Sequence, residues 1–273
     1  MREASMTYSR AERSSVGKVL AFLVVIGFLF FACYEALQWQ NSLRIESIRV
    51  KGTRIVNPQT VIAQCGVHVG DALYSIDLFT ARRRVMANPF IADAQIHRIV
   101  PGTLEIAVVE RKPVALLNAG ELYAIDRDGV ILAPANHLRS PGLLDLPIVS
   151  GIGVKNPVTL GKAMSDPNLL ELLSILDAVK QVNETLLQRI SEFSVSSSGE
   201  IILYTVDGAV PILFGHGDVV RKVVALNTFW DRFIRQEGLS QLEYLDLRFN
   251  DQVVAKWSRK LLTTHSLEEK KAG

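Results

Sequence analysis

The stretch VLAFLVVIGFLFFACYEALQW, residues 19–39, constrains this chain more than any other. Its charge-free part ends at Tyr34, a little short of the ~20 residues that cross a bilayer. Lys18 can snorkel at one end, and Tyr34 and Trp39 suit the opposite interface, so the full stretch reaches across as one transmembrane helix. No A-x-A arrangement follows the apolar run, so it is expected to stay on the protein. Phe30 and Phe31 before Ala32 argue against Cys33 as a lipoprotein cysteine. Arg2, Arg10, Arg13 and Lys18 precede the helix, and Arg44, Arg49, Lys51 and Arg54 follow it, so the positive-inside count is tied. The short N-terminal tail breaks the tie, because the charge rule acts on short segments: N-terminus inside, bulk outside.

The remaining chain is rich enough in apolar residues, 48% of 273, to fill one large core or two ordinary ones. A formal net charge of +2 does not favour nucleic acid as a partner. Two cysteines, with Cys33 inside the apolar run, support neither a disulfide framework nor a thiolate zinc site.

After the membrane, LRIESIRVKG reads as a strand, and Asn57-Pro58 opens a short helix that stops at Gly66. A second helix starts at Asp77 and ends before Asn88-Pro89. The segments around Ile96 and Ile106, joined by Pro101-Gly102, form a hairpin. The order is β-α-α-β-β. From Pro113 onward short strands and turns dominate, with a hairpin around Asp126 to Gly129 and two helices. One is capped by Asp166; the other starts at Asp218 and carries Val219, Val223, Leu226, Trp230 and Phe233 on its inner face. The stretch YLDLRFNDQVVAKW, residues 244–257, alternates like one long terminal strand with no further strand to pair with.

Several motifs invite chemistry and are better read as structure. FGHGDVVRK resembles a phosphate loop, but Asp218 would put a carboxylate where a phosphate must sit, so a tight turn with an N-cap is expected. Ser15 and Lys18 match the Ser-x-x-Lys spacing of serine enzymes, yet lie at the membrane edge. The turn at Asp126, Arg127, Asp128 and Gly129 lacks the other ligands of a calcium loop. The histidines His68, His97, His137, His216 and His265 show no metal-ligand spacing. No metal, cofactor or catalytic residue is expected. Arg82, Arg83 and Arg84 on the second helix make the sharpest basic cluster: a solvated face, or a contact for anionic lipid or a second protein partner.

NPFIADAQIHRIVPGTLEIAVVERKPVALL, LYAIDRDGVIL, FGHGDVVRKV and YLDLRFNDQVVAKW, in that order behind one membrane helix, resemble the FtsQ (DivIB) family of bacterial cell-division proteins. The resemblance implies an α+β chain. Residues 1–18 would be a cytoplasmic tail, 19–39 the inner-membrane helix, 43–112 a POTRA (polypeptide-transport-associated) domain, 113–257 a mostly antiparallel β-rich domain with two helices, and 258–273 a flexible tail. It further implies a non-enzymatic scaffold at the septum that binds FtsB and FtsL and links divisome assembly to septal peptidoglycan synthesis.

The partner site carried over by the resemblance comprises Tyr244, Arg248, Phe249, Asp251, Val253, Val254 and Trp257. An extended FtsB segment would add to the last strand, Arg248 would meet an acidic partner residue, and Phe249 and Trp257 would be apolar anchors. A different POTRA-bearing envelope protein, one that handles exported polypeptides, is the alternative. A tethered hydrolase would need a nucleophile and base, or a carboxylate pair, that the sequence does not offer.

Overall fold

The computed structural model describes residues 8–137, 145–153, 158–250 and 252–258. Asp251, residues 1–7 of the N-terminal tail and the tail from 259, with His265, lie outside them, as does the side chain of His137. The chain forms two compact units, one of residues 1–86 and 93–109, the other of residues 87–92 and 110–273.

The first unit begins with α1, Tyr8–Ser42. Within it Lys18–Gln40, 23 residues, are long and apolar enough to span a bilayer, about 35 Å at helical rise. None of that stretch is covered by the rest of the chain. A helix with Phe22, Phe28 and Phe30 bare on its surface finds its apolar contacts in lipid.

The order β-α-α-β-β follows, as the sequence predicts: β1 Ser47–Lys51, α2 Pro58–Cys65, α3 Leu78–Val85, β2 Ile91–Ile99 and β3 Thr103–Glu110. The three strands form a sheet in the order β1-β3-β2, with β1 parallel to β3. Both helices start where a side chain accepts an orphan backbone N–H: Asn57 from Gln59 and Asp77 from Phe79. Val61 and Cys65 of α2, Ala81 and Val85 of α3, Ile96 of β2, and Leu104 and Ile106 of β3 are buried as this unit's core.

The second unit is built on a nine-stranded sheet. Its strands are β4 Pro113–Asn118, β5 Leu122–Asp126, β6 Ile131–Pro134, β7 Ile148–Ser150, β8 Ile190–Val195, β9 Ile201–Thr205, β10 Pro211–Leu213, β11 Leu242–Asp246 and β12 Val254–Trp257. The spatial order is β12-β11-β10-β9-β8-β7-β4-β5-β6. The pairs β4/β7, β7/β8 and β10/β11 are parallel and the other five antiparallel. The long helix α4, Pro167–Val182, and then α5, Glu184–Leu187, follow β7, and α6, Val219–Phe229, follows β10. Leu169, Leu172, Leu176 and Val179 of α4 and Val223 and Leu226 of α6 share one core with Phe193, Leu203, Ile212 and Leu245 of the sheet. Asp166 caps α4 as expected, accepting from Asn168 and Leu169 N–H. The Asp126 turn is a structural device: its buried carboxylate accepts from Asp128 and Val130 N–H and pairs with Arg111 at 2.8 Å.

Three sequence expectations fail here. Residues 244–257 are two strands instead of one: β11 and β12 form an antiparallel hairpin joined through residues 247–253. Asp246 turns its carboxylate onto the N–H of Arg248, 3.0 Å away, and ends the strand although Leu247 and Phe249 continue its alternation. Asp218 is not a side-chain cap. It stands in left-handed backbone conformation at the start of α6, with its carboxylate on Arg221 at 2.7 Å. Phe233 is not on the inner face, because Trp230–Ile234 form a π-helical turn before the short α7, Arg235–Glu237. The extra residue rotates the helix, so Ile234 is buried and Phe233 is exposed.

A candidate strand-accepting edge

Strand β12 stands at the end of the nine-stranded order, so among the described residues one of its sides has no strand beside it. Which backbone groups face that side follows from the neighbouring ladder. Leu247 N–H donates to Leu213 C=O, so on this strand the odd residues point toward β10 and Tyr244 and Asp246 point toward β12. Tyr244 lies opposite Lys256 and Asp246 opposite Val254, and Ser258 N–H donates to Gln241 C=O. Val254, Lys256 and Ser258 thus bond inward, and Ala255 and Trp257 turn their N–H and C=O to the free edge. An edge of this kind is a template for another extended chain.

The side chains divide by face. Val253, Ala255 and Trp257 pack against the helix-covered core, while Val254 and Lys256 share the other face with Tyr244. Lys256 reaches Glu243 at 2.8 Å and lies over the Tyr244 ring, 5.8 Å from its centroid. On the helix side, beside this strand, lies a groove of about 570 Å³. Phe249 and Val253 wall it from the loop, and Val224, Phe229 and Phe233 wall it from the helix. Phe249 keeps 49% of its surface exposed, and the Phe229 and Phe233 rings meet at 4.9 Å between centroids. Large apolar side chains left open side by side are the usual mark of a surface that receives a partner. The helix residues escape a sequence reading that looks only for one buried stripe. Their signal is the doublets Val219-Val220 and Val223-Val224, apolar on two faces of one helix.

Arg248 is fastened within the chain. Its Nε and Nη2 donate to the two oxygens of Asp246, at 3.0 and 2.7 Å, and Glu200 lies 4.0 Å from Nη1. The Arg248 hydrogen bonds hold the Asp246 carboxyl below its ordinary range, against the opposing effect of burial. Gly215 makes room for this arginine, since a Cβ there would come within 2.8 Å of Arg248 Cγ. Behind it, the buried Lys222 ammonium donates to Phe214 C=O at 2.9 Å and His216 C=O at 2.7 Å, and burial lowers its pKa. His216 donates from one nitrogen to Glu171 and from the other to Gly199 C=O, at 2.8 and 2.9 Å. The glycine-histidine loop is therefore a clasp between α4, the β8–β9 turn and α6.

The three arginines of α3 differ in how they are held. Arg82 is tied to β2, donating to Ala94 C=O at 2.6 Å and to Asp93 at 2.7 Å. Arg84 lies along Gly66, next to Cys65, whose thiol is pushed up by burial. Arg83 and Arg84 are both exposed. Among the described residues no group of three or more His, Cys, Asp or Glu is placed to hold a metal ion.

Residues 43–111 match the model of the POTRA domain, FtsQ-type, and residues 115–248 that of the cell division protein FtsQ/DivIB C-terminal region. The chain is 32% identical to the cell division protein FtsQ of Rhodothermus marinus, over 90% of both chains. The chain belongs to the FtsQ/DivIB family of cell-division proteins. It is 30% identical to the FtsQ of a Geobacter species, over 85% of this chain and 82% of that one, and 28% identical to that of Geotalea daltonii, over 86% and 84%. The family's C-terminal match stops at Arg248, so Phe249, the groove wall at Val253 and all of β12 stand beyond it.

Proposed function

We propose that this family member is a bitopic inner-membrane scaffold, with its N-terminus in the cytoplasm and both units in the periplasm at the division septum. It takes an extended segment of FtsB as a tenth strand on β12, gathers FtsL with it, and so links divisome assembly to septal peptidoglycan synthesis. It works by binding, with no reaction of its own. The observation that carries this reading is the free edge of β12 beside the groove. A strand added there directs alternate side chains to the face of Ala255 and Trp257, where Phe249, Phe229 and Phe233 offer an apolar recess. Trp257 anchors the edge from below, and Tyr244, Val253 and Val254 frame it; Asp251, outside the described residues, belongs to the same proposed set. Arg248, held by Asp246, presents its remaining N–H groups to a partner carboxylate. Arg82, Arg83 and Arg84 are the contact for a second partner or anionic lipid, with Arg83 and Arg84 the exposed members.

The test is binding of a synthetic FtsB periplasmic segment to the full chain in nanodiscs, comparing wild type with Phe249→Ala and Trp257→Ala. Loss of about tenfold or more in affinity, ~1.4 kcal/mol, with unchanged circular dichroism supports the site. Wild-type affinity in both variants removes it.

A further inference from the structure

The chain leaves α1 at Ser42, and two turns of the first unit are bonded to the residues that follow at once. Leu73 N–H donates to Leu43 C=O at 2.9 Å, Ile45 N–H to Asp71 C=O at 2.9 Å, and Gly70 N–H to Ile45 C=O at 2.8 Å. On the other side Glu46 and Ser47 N–H both reach Gly102 C=O, at 2.7 and 3.2 Å. The approach is close enough that a Cβ on Gly102 would sit 2.8 Å from Arg44 C=O. Ile45 is two helical and three extended residues beyond Gln40, the end of the membrane-spanning stretch, so it stays within roughly 14 Å of that end, and both turns are hydrogen-bonded to Ile45 or to the two residues after it. The headgroup layer itself fills about 5–8 Å of that distance.

Both turns carry apolar side chains into the open. Val69 is 63% exposed, Val100 48%, Ile99 41% and Tyr74 37%. The Val69 turn is set by Asp71, which accepts His68 N–H at 2.9 Å. Tyr74 lies under the Arg98 guanidinium, 5.4 Å from the ring centroid, and Arg98 is pinned by Leu73 and Ile76 C=O. An aromatic ring with an arginine on it is a pairing that suits the membrane interface.

We propose that this end of the first unit rests on the bilayer, with Val69 and Val100 in the headgroup layer. The lipid surface is the occupant because the turns are held by backbone hydrogen bonds to the segment that emerges from it. Arg44 and Arg98 are offset by Glu46 and Asp71, so the contact is apolar in origin and forms on zwitterionic lipid. It fixes how this unit is oriented on the membrane, in place of a free swivel about residue 42.

The experiment places a nitroxide at position 69, 100 or 109, through Val69→Cys, Val100→Cys or Val109→Cys, in the full chain with Cys33→Ala, in phosphatidylcholine nanodiscs. Cys65 is buried, out of the label's reach. Val109, also exposed, is the control, six residues along β3 from Thr103 and thus about 20 Å from the membrane-proximal end. The reading is the ratio of collisions with lipid-soluble oxygen to collisions with a water-soluble nickel chelate. The expected ratio at positions 69 and 100 is at least about twofold above that at 109. Equal ratios at all three positions overturn the proposal.

Discussion

Arg248 closes on Asp246, two residues back, through both oxygens of a carboxylate that is itself buried. The pair ends β11, aims the loop that carries Phe249, and leaves one face of the guanidinium toward solvent. Arg248→Ala strands the Asp246 charge and is expected to cost about 1–3 kcal/mol of stability. Because the folded Asp246 pKa lies below its unfolded value, the contribution is present above about pH 4 and is lost as pH falls through the folded value. Thermal unfolding across that range should show wild type and variant converging in acid; a constant gap would assign the loss to packing instead.

Proline substitution separates the two sides of β12. Ala255→Pro removes an N–H that faces the free edge, a position where proline is tolerated, and should leave the fold intact while blocking strand addition. Lys256→Pro removes a bond of the β11 ladder and should destabilise the hairpin. Circular dichroism and partner binding, read together on the two variants, check this; equal unfolding by both contradicts the assigned alternation.

His216 donates from both ring nitrogens, to Glu171 and Gly199, a pattern open only to the charged ring. Its pKa is accordingly raised, first by the Glu171 hydrogen bond. The stabilisation is present below about pH 6.5 and lost as pH rises through the folded value. Solvent screening keeps it under ~1 kcal/mol. His216→Ala should therefore narrow the difference in melting temperature between about pH 5.5 and pH 9, and an unaltered difference would show that the ring carries no charge-linked stability.

The π-helical turn reverses the roles that regular helical spacing assigns. Ile234→Ala should cost about 2–5 kcal/mol, as a core truncation does. Phe233→Ser should change stability by less than about 0.5 kcal/mol and weaken partner binding instead. Urea unfolding of both variants decides between the two faces.

What the sequence revealed was local. Asn57, Asp77 and Asp166 announce their helices because each cap bonds a backbone N–H two residues on, and the β-α-α-β-β order follows from such signals. The hairpin of β11 and β12 stayed hidden because Leu247 and Phe249 prolong a period of two past the point where Asp246 bends the chain. The insertion of β7 between β4 and β8, parallel to both, is a long-range pairing that no short window shows. Of the candidate site, Phe249 and Trp257 are visible as aromatics in the last stretch. The helix side of the groove is not, since regular spacing puts Phe233 in the core.

Amide hydrogen exchange of Ala255 and Trp257 tests the central claim most directly. In the free protein both N–H groups should exchange freely while that of Lys256, inside the ladder, is protected. With the FtsB segment bound, strand addition predicts that Ala255 and Trp257 slow by at least about tenfold, each step of that size being worth ~1.4 kcal/mol of local closure. Saturated binding with both amides still exchanging as in the free protein would contradict the account and place the partner elsewhere on the molecule.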